Sequence, residues 1–479
     1  EMEVRSGRGY LRQKEAVMII KQFVDQGLGN SSYLVGSTED HVAVVIDPQR
    51  NIDSYLKTAQ ELGLRITHAL ETHLHADFAS GSRELAARTG AHIGASARAN
   101  LQFHHLSLKE KDKIRIGTLV IQVLDTPGHS PEHISFLVTE KGSADPPVLF
   151  SGGALTVGGA GRTDLQGHEH AHSLAHDLYH TIHGKLMPLP EKTIVFPTHG
   201  AGSFCVSAGD GEDVDRATTI GHEKLNNPLM KADKEEDFIR LALTGLPSYP
   251  TYFKRMASYN KNGPPILGDL PAPPPLSPSE VKRMIEDKGI VVDARPFREF
   301  AAGHVPGAIS NPFRDSFASY LGWVVPPDHP LIIVPGPPEQ LEPIVRQAIG
   351  IGYDDLAGYL QGGVKAWQDT GFPVARADLT TPEEVYQELQ KKTITVLDVR
   401  QDSEWNAGHI PGAMHIELGE LEKRIKEVPA DSTVAVTCTM GNRSSTAVSI
   451  LKKAGYKKVK NIAGGFNRWT EARLPIVKG

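Results

Sequence analysis

The sequence predicts an α/β protein of three domains, and three observations carry that expectation. From residue 18 to 262, short apolar runs of strand length alternate with amphipathic helical segments. A stretch dense in proline, GPPILGDLPAPPPLSP, interrupts this pattern at residues 263–278. Beyond it one unit occurs twice: VVDARPFREFAAGHVPGA at 291–308 returns as VLDVRQDSEWNAGHIPGA at 396–413. The 479 residues are enough to bury a core in each of three domains.

Taken in order, MIIKQFVD, SYLVGS and VAVVIDP read as short strands that form β-hairpins at the start. IDSYLKTAQELGL is an amphipathic helix, followed by the strand ITHALETH and the helix SRELAARTG. TLVIQVLDTPGH and HISFLVTE return to strand. Proline at the density of residues 263–278 cannot build a core element, so this stretch predicts a stiff, extended linker. The repeated units occupy 279–376 and 377–479. Their closing segments also match, LQGGVKAWQDTGFPV against IAGGFNRWTEARLPI. Each alternates strands and helices, as a small α/β domain with a parallel sheet does. Residues 1–17 lack the apolar core and cleavage site of a secretory signal and are set aside as an N-terminal extension.

Composition excludes several functions. The net charge is −6 and no long basic run appears, so a nucleic-acid partner has no electrostatic support. No apolar run reaches the roughly 20 residues of a membrane span. The two cysteines, Cys205 and Cys438, form no disulfide framework and suit a reducing cytosol, so a cytoplasmic protein is expected.

The 21 histidines are the unusual count. In THLHADF, His73 and His75 stand two apart in an extended segment and can face one site, with Asp77 close behind. His129, in LDTPGH, and His199, in IVFPTHG, each follow an apolar strand as well. Three strand ends that deliver imidazoles are what a metal site at a sheet edge requires. A separate stripe, His172, His176 and His180, shares one helix face; a solvated face is the expected reading and an additional metal site the alternative. Cys205 is expected as a small buried hydrophobe, with a sulfur-accepting thiol as the alternative. In VAVTCTMGNRSSTAVSI, Cys438 lies between a strand and a helix, where backbone N–H groups converge and stabilise an anion. Arg443 adds a fixed positive charge, and the loop suits a thiolate that attacks a sulfur donor.

The THLHADF stretch, TPGH and GRTD (Gly161–Asp164) together resemble the metallo-β-lactamase superfamily over about residues 18–230. Within it they look most like the persulfide dioxygenase branch, with hydroxyacylglutathione hydrolases as near relatives. The resemblance implies an αββα sandwich over 18–262 and one mononuclear Fe(II) per chain, zinc being the alternative as isolated. Such a site holds iron by two histidines and a carboxylate, and His73 and His129 match the histidines. Phe78 stands where the family motif has its last histidine, which removes a ligand of a second metal. Gly153 occupies the place of the family's ligand aspartate. His75, Asp77 and Asp164 are the candidates to complete the shell. Arg162 and Tyr179 match substrate-orienting positions, Arg162 having the alternative role of pinning its loop to Asp164.

The CxxGxRS loop and both repeats resemble rhodaneses. That resemblance implies a nucleophilic Cys438, supported by Arg443 and the loop residues Gly441 and Asn442. The Asp398/Arg400 pair is expected as a structural tie. The first repeat has LIIVPGPPEQLEP in the loop position and no cysteine, so it is expected to act as a scaffold. Together the resemblances imply oxidation of a low-molecular-weight thiol persulfide with O₂ to sulfite, coupled to sulfane-sulfur transfer with thiosulfate and sulfite as partners. A homodimer is expected from the same relatives. A transfer-only protein with a degenerate first site and a thioester hydrolase are the alternatives.

Overall fold

The computed structural model describes residues 18–206 and 216–478; the extension expected over 1–17 lies outside them. These residues fall into two units. The first comprises the described residues through Leu246 with Tyr252–Leu270 and Ile349–Gly352. The second comprises Pro247–Thr251, Pro271–Ala348 and the described residues from Tyr353 onward, so both repeats share it.

The first unit is organised by strand alternation. One six-stranded sheet runs in chain order through Met18–Asp25, Asn30–Ser37, Val42–Ile46, Arg65–Leu70, His92–Ser96 and Leu106–Leu108. The other runs through Lys113–Ile116, Leu119–Asp125, Ile134–Glu140, Val148–Gly152, Ile194–Pro197 and Thr218–Thr219. Successive side chains leave opposite faces of a strand. Val35, Val44 and Ile46 therefore meet Ile121, Phe136 and Phe150 between the two sheets. Their neighbours Leu34 and Val45 turn outward onto Tyr55, Ala59 and Leu85 of the helices Asp53–Glu61 and Ser82–Thr89. Leu149 and Val195 do the same on the other side, against Ala175 and Leu178 of the helix His168–Thr181. This is the αββα sandwich the sequence predicts.

Strand ends of this sandwich carry the site. Arg65–Leu70 runs into His73, Leu119–Asp125 into His129, Val148–Gly152 into Gly153, and Ile194–Pro197 into His199.

The proline-rich stretch differs from the expected linker. Its first half is strapped to the first unit. Arg83 donates to the carbonyls of Gly263 and Pro264 at 2.9 and 2.8 Å, and Glu84 accepts from the N–H groups of Leu267 and Gly268 at 2.6 and 3.0 Å. Its second half contributes Pro275–Leu276 as an edge strand of the second unit. Proline removes donors but leaves carbonyls that still need partners, and arginine supplies them.

In the second unit the two repeats build sheets of one design. Each has five parallel strands, in the order Pro275–Leu276, Leu356–Leu360, Leu331–Val334, Ile290–Asp293, Ile309–Ser310 and its counterpart Asp378–Thr380, Val459–Ile462, Thr433–Thr437, Ile394–Asp398, Met414–His415. Each opens its first helix with a capping box and a proline at the first turn, Ser277 with Glu280 and Thr381 with Glu384. Arg295 clamps Asp293 and the Gly303 carbonyl, and Arg400 clamps Asp398 and the Gly408 carbonyl. Both pairs thus act as ties between a strand end and the turn after a helix.

Candidate functional site

Three buried histidines meet at the sandwich edge. The ligand atoms of His73, His129 and His199 all lie within 4.8 Å of one another, and the Nε2 atoms of His73 and His199 are 3.2 Å apart. Hydrogen bonds settle which nitrogen of each ring carries the proton. His129 Nδ1 lies 2.7 Å from the carbonyl of Arg162, which can only accept. His73 Nδ1 lies 2.8 Å from Thr72 Oγ1, whose own proton goes to Asp47 at 2.7 Å. His199 Nδ1 faces Asn30 Oδ1 at 3.0 Å and Asp77 Oδ2 at 3.3 Å, both acceptors, since the Asn30 amide nitrogen donates to Asp77. With every Nδ1 donating, each neutral ring presents its Nε2 lone pair inward. Burial also pushes His73 well below its ordinary pKa, and burial followed by the neighbouring His199 pushes His129 to about 3.

Three lone pairs turned on one point repel unless a cation lies among them. Two ligands on one ion with ~2.0–2.1 Å bonds in a tetrahedral array are about 3.4 Å apart, close to the His73–His199 separation. The donor set therefore fits a metal ion, and the hydrogen bonds behind it orient the rings as such sites require.

The expected carboxylate ligand has a physical reason for its absence. A Cβ on Gly153 would stand 2.4 Å from His129 Cδ2, and one on Gly161 would stand 2.5 Å from His129 Nδ1. The imidazole lies between two glycines and fills the volume a side chain at 153 would claim. His199 stands as the third donor instead. Asp77 is grouped with His75 and His199, and Asp47 with His73 and His75; Asp77 Oδ1 is buried without a hydrogen-bond partner.

The other expected ligands have partners of their own, and His75 also falls in candidate donor groups with Asp47 and His73 and with Asp77 and His199. His75 Nε2 binds Glu71 at 3.1 Å and Asp47 at 3.2 Å. Burial would lower this ring, but the Asp47 charge and the bonds to both carboxylates outweigh it and lift it to about 10. Asp164 is clamped by Arg162 Nε and Nη2 at 2.7 and 2.8 Å and belongs to none of the metal-donor groups among the described residues. That clamp matches the alternative role expected of Arg162, pinning its loop with Asp164 as the partner. Tyr179 donates to the carbonyl of Asp233 and packs on His183 and Phe238. Cys205 is fully buried, and its thiol is pushed well up by burial and then by the Asp77 charge beside it.

Sequence reading missed Asp47, Asn30 and His133. Asp47 accepts from the Thr72 N–H and hydroxyl and from the Thr198 hydroxyl, so it ties two ligand loops together. His133 stacks on His73 and accepts the Gly153 N–H at 2.9 Å. The signals were present as an aspartate ending VAVVID and a second histidine in HSPEH, but neither spacing specifies a partner.

In the second unit, the strand Thr433–Thr437 delivers Cys438 to the N-terminus of the helix Asn442–Lys453. Gly441, at φ 105°, takes a backbone conformation that side chains rarely adopt, and its N–H donates to Cys438 Sγ at 3.1 Å. Ser444 Oγ lies 3.4 Å from the sulfur. Arg443 is committed: Nη1 and Nη2 bind Glu404 at 2.6 and 2.7 Å, and Nη2 binds Thr439 at 2.6 Å. Burial would raise Glu404, but the Arg443 bond and charge outweigh it and hold it at about 2.

Residues 25–199 match the metallo-beta-lactamase superfamily, and residues 277–370 and 381–472 each match the rhodanese-like domain. The chain is 30% identical over 247 residues to the human protein named persulfide dioxygenase ETHE1, mitochondrial, covering 50% of this chain and 88% of that one. It belongs to the metallo-β-lactamase superfamily and carries two rhodanese-like domains. A hydroxyacylglutathione hydrolase from Polaromonas is 35% identical over 173 residues, covering 36% of this chain and 62% of that one. A crystal structure described as a metallo-beta-lactamase from Staphylococcus aureus superimposes with a TM-score of 0.65 at 32% identity, covering 72% of this chain and 99% of that one.

In the metallo-β-lactamase domain a small recess opens beside His73 and His75. Leu74, Ala99, Leu101 and Phe103 give it apolar walls, and Glu71 and Glu132 are its charged carboxylates; no lysine or arginine lines it. The helical histidine stripe is largely exposed. His176 and His180 approach Glu235, while His172 is outside that group.

Proposed function

We propose that the chain oxidises a low-molecular-weight persulfide at the His73–His129–His199 centre and transfers sulfane sulfur at Cys438. The observation that carries the first half is the set of three Nε2 lone pairs fixed on one point, in a domain whose relatives bear the name persulfide dioxygenase. An Fe(II) ion held there would supply open positions for a persulfide and O₂. In balance, one persulfide, one O₂ and one water give one thiol and one sulfite with its two protons. Thr72, the Arg162 carbonyl and Asn30 keep the ligand protons on Nδ1. Cys205 holds its proton at Sγ beside Asp77. The apolar-walled recess next to His73 marks the side from which the carrier of the persulfide approaches, and its two carboxylates favour a carrier end that is not anionic.

At Cys438 the thiolate attacks the sulfane sulfur of thiosulfate. A new S–S bond forms, the old one breaks, and sulfite leaves with the electron pair. The Gly441 N–H and the helix N-terminus stabilise the negative sulfur before and after this step. We place the protein in a reducing compartment such as the cytosol, since both cysteines are free. No helix among the described residues is long and apolar enough to cross a membrane.

A second reading, transfer alone, draws on the glycine at position 153. Metal analysis combined with O₂ uptake on glutathione persulfide separates the two. About one iron per chain is expected, with uptake that disappears in His129→Ala and persists in Cys438→Ser. A metal-free protein with no uptake, still active as a thiosulfate sulfurtransferase through Cys438, would leave transfer as the sole activity.

A further inference from the structure

The repeat without a cysteine carries an arginine with one buried donor left unpartnered. Arg314 lies between the strand Ile309–Ser310 and the helix Phe317–Val324. Its Nε donates to Ser316 Oγ at 3.0 Å, its Nη1 donates to the Pro312 carbonyl at 2.9 Å, and its guanidinium lies over the Tyr320 ring at 4.5 Å. Its Nη2 is buried with no hydrogen-bond partner. Tyr320 of its own repeat, then Cys438 and Arg443 of the other, act on its charge.

The two repeats interlock at this point. Ser310 Oγ meets Ser445 Oγ at 2.8 Å, and the Ser310 N–H donates to Ser449 Oγ at 3.1 Å, both on the helix that Cys438 precedes. Phe297 closes on the other side, 3.2 Å from where a Cβ on Gly441 would stand. The segment bearing Arg314 is thus fixed against the cysteine loop. Arg443, which sequence reading assigned to anion stabilisation, spends both nitrogens of its fork on Glu404. Leaving a buried guanidinium donor unpaired is costly, so an open donor on a segment fixed against the cysteine loop is explained if an anion completes it.

We propose that Arg314 is a substrate-binding residue of the Cys438 site, donated by the cysteine-free repeat, and that its open Nη2 takes the oxyanion end of a small sulfur oxyanion such as thiosulfate or sulfite. The cysteine-free repeat then has a chemical role besides scaffolding: it selects donors in which negative oxygens lie next to the sulfane sulfur. This rests on the reading of Cys438 as a sulfur-transfer cysteine.

The test uses the full chain. Arg314→Gln is expected to raise KM for thiosulfate about tenfold or more, with kcat nearly unchanged. Arg314→Lys is expected to restore part of that loss. Anaerobic loading of Cys438 from glutathione persulfide, read by mass spectrometry, is expected to be unaffected, because that donor has no sulfonate; a merely structural defect would slow both donors alike. Binding of thiosulfate to Cys438→Ser by calorimetry reports the subsite without turnover. If wild type transfers sulfur but Arg314→Gln leaves both KM and binding unchanged, the assignment of Arg314 is overturned. If thiosulfate binds through Arg314 but no transfer occurs, the subsite stands and the transfer reading falls. Should Arg314→Gln fail to fold, sulfate competition against thiosulfate in the wild type decides: an oxyanion subsite requires it, and its absence would overturn the proposal.

Discussion

His129 and Gly153 depend on each other. The ring can sit where it does because position 153 has no side chain, and the nearest Cβ position is 2.4 Å from Cδ2. Gly153→Ala therefore forces His129 aside. The expected result is a sharp fall in bound metal, measured on the purified protein, with thiosulfate transfer at Cys438 unchanged. Retention of full metal content would show that His129 is not a ligand. At this scale the sequence supplied most of the site. His73, His129 and His199 were legible because each follows an apolar strand in a turn. What it did not reveal was which of six candidates converge. His75 and Asp164 are of the same types as the converging residues, yet Asp164 is held by Arg162 and His75, though grouped with Asp47 and His73, is bonded to Asp47 and Glu71.

Elements position these residues through buried polar ties. Asp47, at the end of the strand Val42–Ile46, holds the loops after Arg65–Leu70 and Ile194–Pro197 by hydrogen bonds to Thr72 and Thr198. In the second unit, the helix Phe297–Ala302 ends under His304, which stacks on Phe300 at 3.7 Å and bonds its carbonyl through Nδ1. Burial lowers His304 to about 4, against the weaker opposing effect of that bond. The sign follows from linkage: the unfolded chain binds this proton near pH 6.5 and the folded chain only near pH 4. Its contribution is therefore complete above pH 6.5 and lost as pH falls toward 4, by up to about 3 kcal/mol. Denaturant melts of wild type and His304→Gln between pH 7 and 4.5 are expected to show a steeper acid loss in wild type. Parallel curves would remove His304 from the pH response. The element periods themselves were readable in advance, but the strapping of residues 263–268 by Arg83 and Glu84 was not, because proline density predicts stiffness and says nothing of who satisfies the carbonyls.

On the scale of the molecule, the metal centre lies wholly in the first unit and the cysteine loop wholly in the second. The expected outcome is independence: His199→Ala abolishes metal binding and leaves thiosulfate transfer intact, and Cys438→Ser does the reverse. A variant at one site that silences both activities would contradict this. The amino-acid sequence by itself determined the αββα sandwich, the tandem parallel-sheet repeats and the two chemical centres, because hydrophobic period, internal repetition and residue type are local properties of a chain. Tertiary structure alone decided that His199 joins His73 and His129, that Arg443 is spent on Glu404, and that Arg314 Nη2 is left open. Those outcomes depend on distances between residues far apart in the chain, and hydrogen-bond partnership, unlike periodicity, is settled only when the packed elements bring donors and acceptors within reach.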